Sequence, residues 1–235
     1  MKKKLAFIAT LIISFGLPAT AQNTVKRPVA GFSKLSVFGD IAVYLTKSHV
    51  ESLEIDIPDD VAPSQITTAI ESNELTIKTT YGLLQNKKKI KVYLSYKELN
   101  SLSAGGSSSI DLPDSVLKTD RLVLNAYTGG TIDLTVDVKY IVAEVSEKAV
   151  ISIDGFCNNE EVNVALGGVY LAYELESEDA TVKASSNGVA KINSSMSLNG
   201  SATTGGWIGY MGNPKYKFFT PKLGGKIEKI DNDEK

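Results

Sequence analysis

Between Ala104 and Ile230 the chain repeats one unit seven times: a small-residue turn followed by an alternating apolar strand. The turns fall at Gly105-Gly106, Gly129-Gly130, Lys148-Ala149, Gly167-Gly168, Asn187-Gly188, Gly205-Gly206 and Gly224-Gly225. Their second members are separated by 24, 19, 19, 20, 18 and 19 residues. A period near 20 is the mark of a solenoid, whose units cannot bury an apolar face alone and must stack. The period constrains architecture far more than activity.

Strands follow the turns at 109–112, 131–134, 150–153, 189–192 and 207–210, and others precede them at 122–124, 141–143, 162–164 and 181–183. Each rung is therefore expected to hold two or more short strands joined by tight turns, where glycine accepts φ > 0. In parallel stacking, like positions lie about 4.8 Å apart, so seven rungs would rise roughly 34 Å. Aligned on the turns, one inward column reads Ile110, Ile132, Ile151, Tyr170, Ala190, Ile208, Ile227. The next reads Leu112, Leu134, Ile153, Ala172, Ile192, Tyr210. Between them an outward column reads Asp111, Asp133, Ser152, Leu171, Lys191, Gly209, Glu228. Apolar columns flanking a mostly polar one are what a parallel β-helix requires.

Upstream, residues 23–98 alternate with period two but are separated by longer, irregular loops, and a sustained helical pattern is absent. The segment 66–70 reads as a strand. Without a linker at 94–99, the two sections are expected to form one stack. The domain reading is residues 1–21 as a leader and 22–235 as one all-β unit, with regular repeats over about 99–230.

The leader combines Lys2-Lys3-Lys4, an apolar run from Leu5 to Leu17, and Ala19-Thr20-Ala21 before Gln22. That is the pattern of a cleaved secretory signal, and the run is too short to span a bilayer. Cleavage is expected to leave no transmembrane segment and no lipid-anchoring cysteine. Without the three lysines the chain holds 22 basic and 27 acidic residues, a net charge of about −5. An acidic balance argues against a nucleic-acid partner. The run Lys87-Lys88-Lys89 with Lys91 reads as turn or edge-protecting lysines.

Chemistry-bearing constellations are sparse. Cys157 has no disulfide partner and follows a strand directly, so it reads as a small buried residue; the one histidine, His49, lies 108 residues away. Gly129 to Asp133 lacks the middle glycine and the nine-residue period of calcium-binding repeats. Asp56, Asp59 and Asp60 surround Pro58 in ordinary turn chemistry. Asp111 and Asp133 fall in adjacent rungs of one column, roughly 5 Å apart, within reach of a glycosidase pair. With neither cationic nor aromatic neighbours expected around them, they read as a solvated face. Among the C-terminal aromatics, Tyr170 and Tyr210 fall on inward columns, and Phe218-Phe219 precedes the last rung as an apolar cap. Tyr127, Tyr173 and Trp207 remain as candidate ligand contacts.

The order and spacing of several short motifs resemble the putative auto-transporter adhesin head domain (head GIN domain) proteins common in the Bacteroidetes. The features are the leader, Phe32 to Val37 with Gly39 to Leu45, and Asn73 to Ile77. They continue with Leu99 to Gly106, the Gly-x-Tyr-x-Gly-x-Pro run from Gly209 to Pro214, and Gly224 to Ile227. The resemblance covers about residues 31–230, with Ala-Gly-Gly, Thr-Gly-Gly or Leu-Gly-Gly where that family usually writes Ser-Gly. It implies a right-handed parallel β-helix and an adhesin-like role in the periplasm or at the cell surface of a Gram-negative bacterium. It transfers no catalytic residue, cofactor or metal. The expected function is a non-catalytic binding module for a glycan or protein of the envelope. The alternatives are a carbohydrate-active enzyme using Asp111 and Asp133, and a periplasmic structural or lipid-binding protein.

Overall fold

The computed structural model describes residues 23–80 and 89–230. The expected leader at 1–21 and two of the lysines, Lys87 and Lys88, lie outside the described residues. The N-terminal section contains β1 (Asn23–Arg27), β2 (Lys34–Phe38), β3 (Ile41–Lys47), β4 (Ser52–Ile57), β5 (Ile66–Glu71), β6 (Glu74–Thr79), β7 (Ile90–Tyr96) and β8 (Ser101–Gly105). A 3₁₀ turn at Pro63–Gln65 leads into β5. The repeats supply β9 (Ser109–Ala126), β10 (Thr131–Val145), β11 (Val150–Val164), β12 (Val169–Ala184) and β13 (Val189–Thr203). The last rungs add β14 (Trp207–Met211), β15 (Tyr216–Lys222) and β16 (Lys226–Lys229).

Among the described residues all 16 strands belong to one sheet, wound as a parallel β-solenoid from β9 onward. Its main path runs β1-β4-β7-β3-β9-β10-β11-β12-β13-β14-β16. The N-terminal section departs from the regular winding in two ways. The contacts β1–β4, β4–β7 and β5–β6 are antiparallel. In addition β3 lies between β7 and β9, while β8 lies between β2 and β9, so spatial order departs from chain order.

The rungs correct the expectation of two short strands joined by tight turns. Each middle rung is one strand of 15 to 18 residues that bends without breaking. At three of the four contacts between these strands a bend coincides with a register irregularity, where one rung carries more residues than its neighbour, whereas β10 and β11 stay in register throughout. Between Asp111 and Val116, for example, β9 spends five steps where β10 spends two, from Asp133 to Thr135. That surplus of three residues, with a first turn that closes at Ser108 two residues past Gly106, accounts for the single long step of 24 residues in the repeat.

The tight turns occur once per rung, and the glycines do two different jobs there. In the turn Tyr127-Thr128-Gly129-Gly130, Thr128 and Gly129 both have positive φ, 49° and 74°, and the Gly130 N–H donates to the Tyr127 carbonyl at 3.0 Å. This is a type I′ turn. Positive φ is also adopted by Glu147, Lys148, Ser186 and Asn187, so glycine is not obligatory for the conformation. The second glycine meets a separate demand. A Cβ on Gly130, Gly206 or Gly225 would lie 2.2 Å from the carbonyl oxygen of Ala104, Ala184 or Ala202 in the preceding rung. Neighbouring turns are also cross-linked, as where Gly129 N–H donates to Glu147 O at 3.0 Å.

The inward columns form the core. Val43, Ile110, Ile132, Ile151, Tyr170, Ala190 and Ile208 pair in register and are completely buried. Leu122, Ile141, Ala180 and Leu198 form a parallel column whose middle position is Glu160. That carboxyl group is 2% exposed inside an apolar lumen. Removing roughly 25 cal/mol of apolar surface energy per Å² from water in every rung is what holds such a stack together.

Candidate functional surface

The outward column predicted from Asp111 to Glu228 is present residue for residue, and it extends into the N-terminal section. It runs Lys26, Glu54, Tyr93, Tyr44, Asp111, Asp133, Ser152, Leu171, Lys191, Gly209, Glu228, one residue from each strand of the main path. Lys26 and Glu54 close its N-terminal end with a salt bridge of 2.6 Å.

Toward the C-terminal end, Trp207 lies flat. A Cβ on Gly209 would sit 2.1 Å from the indole Cη2, so the ring occupies the space that any larger residue at 209 would need. The indole N–H donates to the Glu228 carboxylate, fixing the ring plane against the sheet. One rung away, the Lys191 ammonium stands 4.8 Å from the centre of the Tyr173 ring, a cation–π contact. Two of the aromatics singled out from sequence, Trp207 and Tyr173, thus share one face with Lys191 between them.

Tyr127 is placed elsewhere. It precedes the turn at Thr128, covers Gly105 in the rung before it, and stacks on Phe38 with centroids 6.2 Å apart. A ring laid over a glycine shields exposed backbone, a recognised stabilising device in sheets.

Sequence reasoning overlooked a second aromatic surface in the same column. Tyr44 and Tyr93 are register partners whose rings stack at 5.6 Å and 23°. Their signal was alternation: in 41–45 and 90–94 the tyrosine occupies the parity opposite to Val43, Leu45, Val92 and Leu94. This pair corrects the expectation that Asp111 and Asp133 lack an aromatic neighbour, because Tyr44 is Asp111's partner in the next strand. Burial raises the Asp111 carboxyl above the usual range, and the Asp133 charge adds to the effect, while Ser109 donates to Asp111 at 3.2 Å. The expectation for Phe218 also fails. It is 61% exposed, because it pairs with outward Asn199, whereas Phe219 pairs with inward Gly200 and packs against the core.

The remaining reactive groups do not converge. Cys157 is fully buried, in register with Val138 and Ser177, and burial pushes its thiol pKa far up. His49 is exposed in the loop after β3. Among the described residues, no three His, Cys, Asp or Glu side chains stand together as a metal site. Among those residues, too, no helix is long and apolar enough to cross a membrane. The other half of the rungs carries a shallow depression lined by Arg121, Val142, Glu144, Glu161, Thr181 and Lys183.

By architecture the chain is a parallel β-solenoid, a fold that offers an extended outer surface. The chain belongs to the putative auto-transporter adhesin, head GIN domain family, whose model matches residues 31–214. Its fold is that of a putative adhesin from Bacteroides fragilis, with a TM-score of 0.79 at 21% identity, covering 88% of this chain and 96% of that one. A putative adhesin from Parabacteroides merdae aligns with a TM-score of 0.67 at 19% identity, covering 88% and 95% of the two chains. A putative lipid binding protein from Parabacteroides distasonis aligns with a TM-score of 0.57 at 17% identity, covering 88% and 96%. No curated protein matches the chain.

Proposed function

We propose that this protein is an exported, non-catalytic adhesion module of the bacterial envelope, acting in the periplasm or at the cell surface. In this reading it binds a glycan or protein through the outer face of its solenoid. The observation that carries the reading is Trp207, held flat over Gly209 with its N–H fixed by Glu228. A ring that is already immobilised loses little side-chain entropy on binding, which favours contact through it. Family membership and the N-terminal leader pattern support the adhesin-like role and the exported location. Trp207 is the leading contact, with Tyr173 beside Lys191 as its neighbour; Tyr127, covering Gly105, contributes to packing.

Lipid binding is the second reading, prompted by the neighbour described as a putative lipid binding protein. Glycan-array binding, turnover assays on released polysaccharides and vesicle sedimentation separate the classes. The proposal expects saturable binding without turnover, weakened in Trp207→Ala. Turnover abolished by Asp133→Asn would replace it with the enzyme reading. Vesicle binding in the absence of glycan or protein binding would replace it with the lipid reading.

A further inference from the structure

The outward column carries aromatic surfaces at two separated places with hydrogen-bonding groups between them. The Tyr44–Tyr93 stack lies toward one end, and the indole plane over Gly209 lies toward the other. From Tyr44 the register passes through Asp111, Asp133, Ser152, Leu171 and Lys191 to Gly209, six strand steps in all. At about 4.8 Å per step this is roughly 29 Å, in a line along the solenoid axis.

We infer that this column is an extended subsite array for one linear polysaccharide chain, lying along the axis with roughly one sugar per rung. The inference rests on the binding-module reading and deepens it by naming the ligand class and its direction. Three features favour a linear glycan over other occupants. Aromatic faces pack against the C–H face of a pyranose ring, and here they sit at both ends of the same line. Asp111, Asp133 and Ser152 lie between them as acceptors for sugar hydroxyls, and among the described residues neither aspartate is in a salt bridge, the Lys89 charge acting on Asp111 from nearby. The spacing is periodic, so a polymer with a periodic repeat can meet successive rungs in similar ways.

The column also differs from a generic polar sheet face in how its rings are held. Tyr44 braces Tyr93, which remains 43% exposed, and Glu228 braces Trp207. Each platform is therefore oriented before a ligand arrives. A chain that engages only one platform gains half of the available ring contact, whereas one that spans both gains the second without a second association cost.

The test is calorimetry with a size ladder of homologous oligosaccharides, from disaccharide to octasaccharide, using whichever polysaccharide the array identifies. Affinity is expected to rise with length up to about seven units, one for each register position from Tyr44 to Gly209, and then level off. Tyr93→Ala and Trp207→Ala should each weaken the heptasaccharide roughly tenfold and leave the disaccharide much less affected. Ser152→Arg blocks the middle of the line without touching either platform, so it should reduce heptasaccharide affinity to that of the short oligomers. Trp207→Phe, which keeps a flat ring, serves as a check if the alanine variant folds poorly, and should retain most of the binding. Affinity that stops rising at the disaccharide, or that ignores Ser152→Arg and Tyr93→Ala, overturns the array while leaving the binding module standing. Binding of a protein or vesicle that is lost in these same variants, with no glycan bound, overturns the ligand class.

Discussion

Tyr170 donates its phenolic hydrogen to the Glu160 carboxylate at 3.0 Å inside the mainly apolar lumen of the solenoid. The other carboxylate oxygen, Oε1, has no hydrogen-bond partner among the described residues. A buried carboxyl group with one satisfied oxygen is held more cheaply as the neutral acid than as the anion.

That pair predicts an unusual pH dependence. Burial pushes the Glu160 pKa up from 4.5 to about 7, against smaller opposing effects from Ser177 and Tyr170. The folded state therefore keeps a proton that the unfolded state releases, and stability falls as pH rises. The full benefit is present below about pH 4.5 and is lost as pH climbs to about 7. Over that window the loss is of the order of 3 kcal/mol. Chemical denaturation across pH 5 to 8 should show this fall in the native protein, and Glu160→Gln should flatten it. Parallel pH profiles for the two proteins would exclude Glu160 as the source.

Gly206→Ala should destabilise strongly. The new Cβ would lie 2.2 Å from the Ala184 carbonyl oxygen, so two rungs must separate locally. A loss of about 2 kcal/mol or more is expected in thermal or denaturant unfolding. Gly224→Ala meets no atom within 4 Å but sits at φ 79°, so its smaller cost should reflect backbone strain alone. Equal effects in the two variants would contradict the close-approach explanation.

Ile151→Asp places a carboxylate in the fully buried column between Ile132 and Tyr170. Breaking the stack at its centre should cost more than about 3 kcal/mol and leave little folded protein. Soluble expression and the far-UV spectrum report the outcome. A cooperative β-sheet transition near that of the native protein would show that the column is not the core.

Cys157 should resist thiol reagents while the protein is folded. The side chain is fully buried, and burial together with the Glu160 and Glu178 charges disfavours the thiolate. Labelling with a maleimide should be negligible in native buffer and complete in denaturant. Rapid native labelling would mean that the lumen opens at this rung.

Much of this architecture was legible because the repeats are numerically regular. Counting from the turns placed Ile132 beside Ile151 without structural knowledge, since a two-residue parity and a fixed turn leave one register. Asp111 lies five residues past Gly106 but Asp133 three past Gly130, so that pairing rested on matching Ser-Ile-Asp-Leu to Thr-Ile-Asp-Leu. Simple alternation fails beyond each bend. The inward parity switches there, from Val136 and Val138 to Ile141 and from Ile153 and Cys157 to Glu160, so alternation from the turn at Lys148-Ala149 could not place Glu160 inward. The N-terminal section hid more. Tyr44 and Tyr93 are 49 residues apart, and no period announces that β3 and β7 lie side by side. Of the candidate contacts, Trp207 and Tyr173 were found by parity, whereas the flatness of Trp207 depends on Gly209 and Glu228 acting together.

Trp207 is the single tryptophan of the chain, so its fluorescence reports on the proposed contact surface without interference. Titrating the full-length glycan into the native protein should give a saturable change in emission whose midpoint matches the calorimetric affinity. Glu228→Gln should reduce that change, because the ring loses the carboxylate that orients it. Saturable binding measured by calorimetry with no change in the emission of Trp207 would place the ligand on another face and contradict the account.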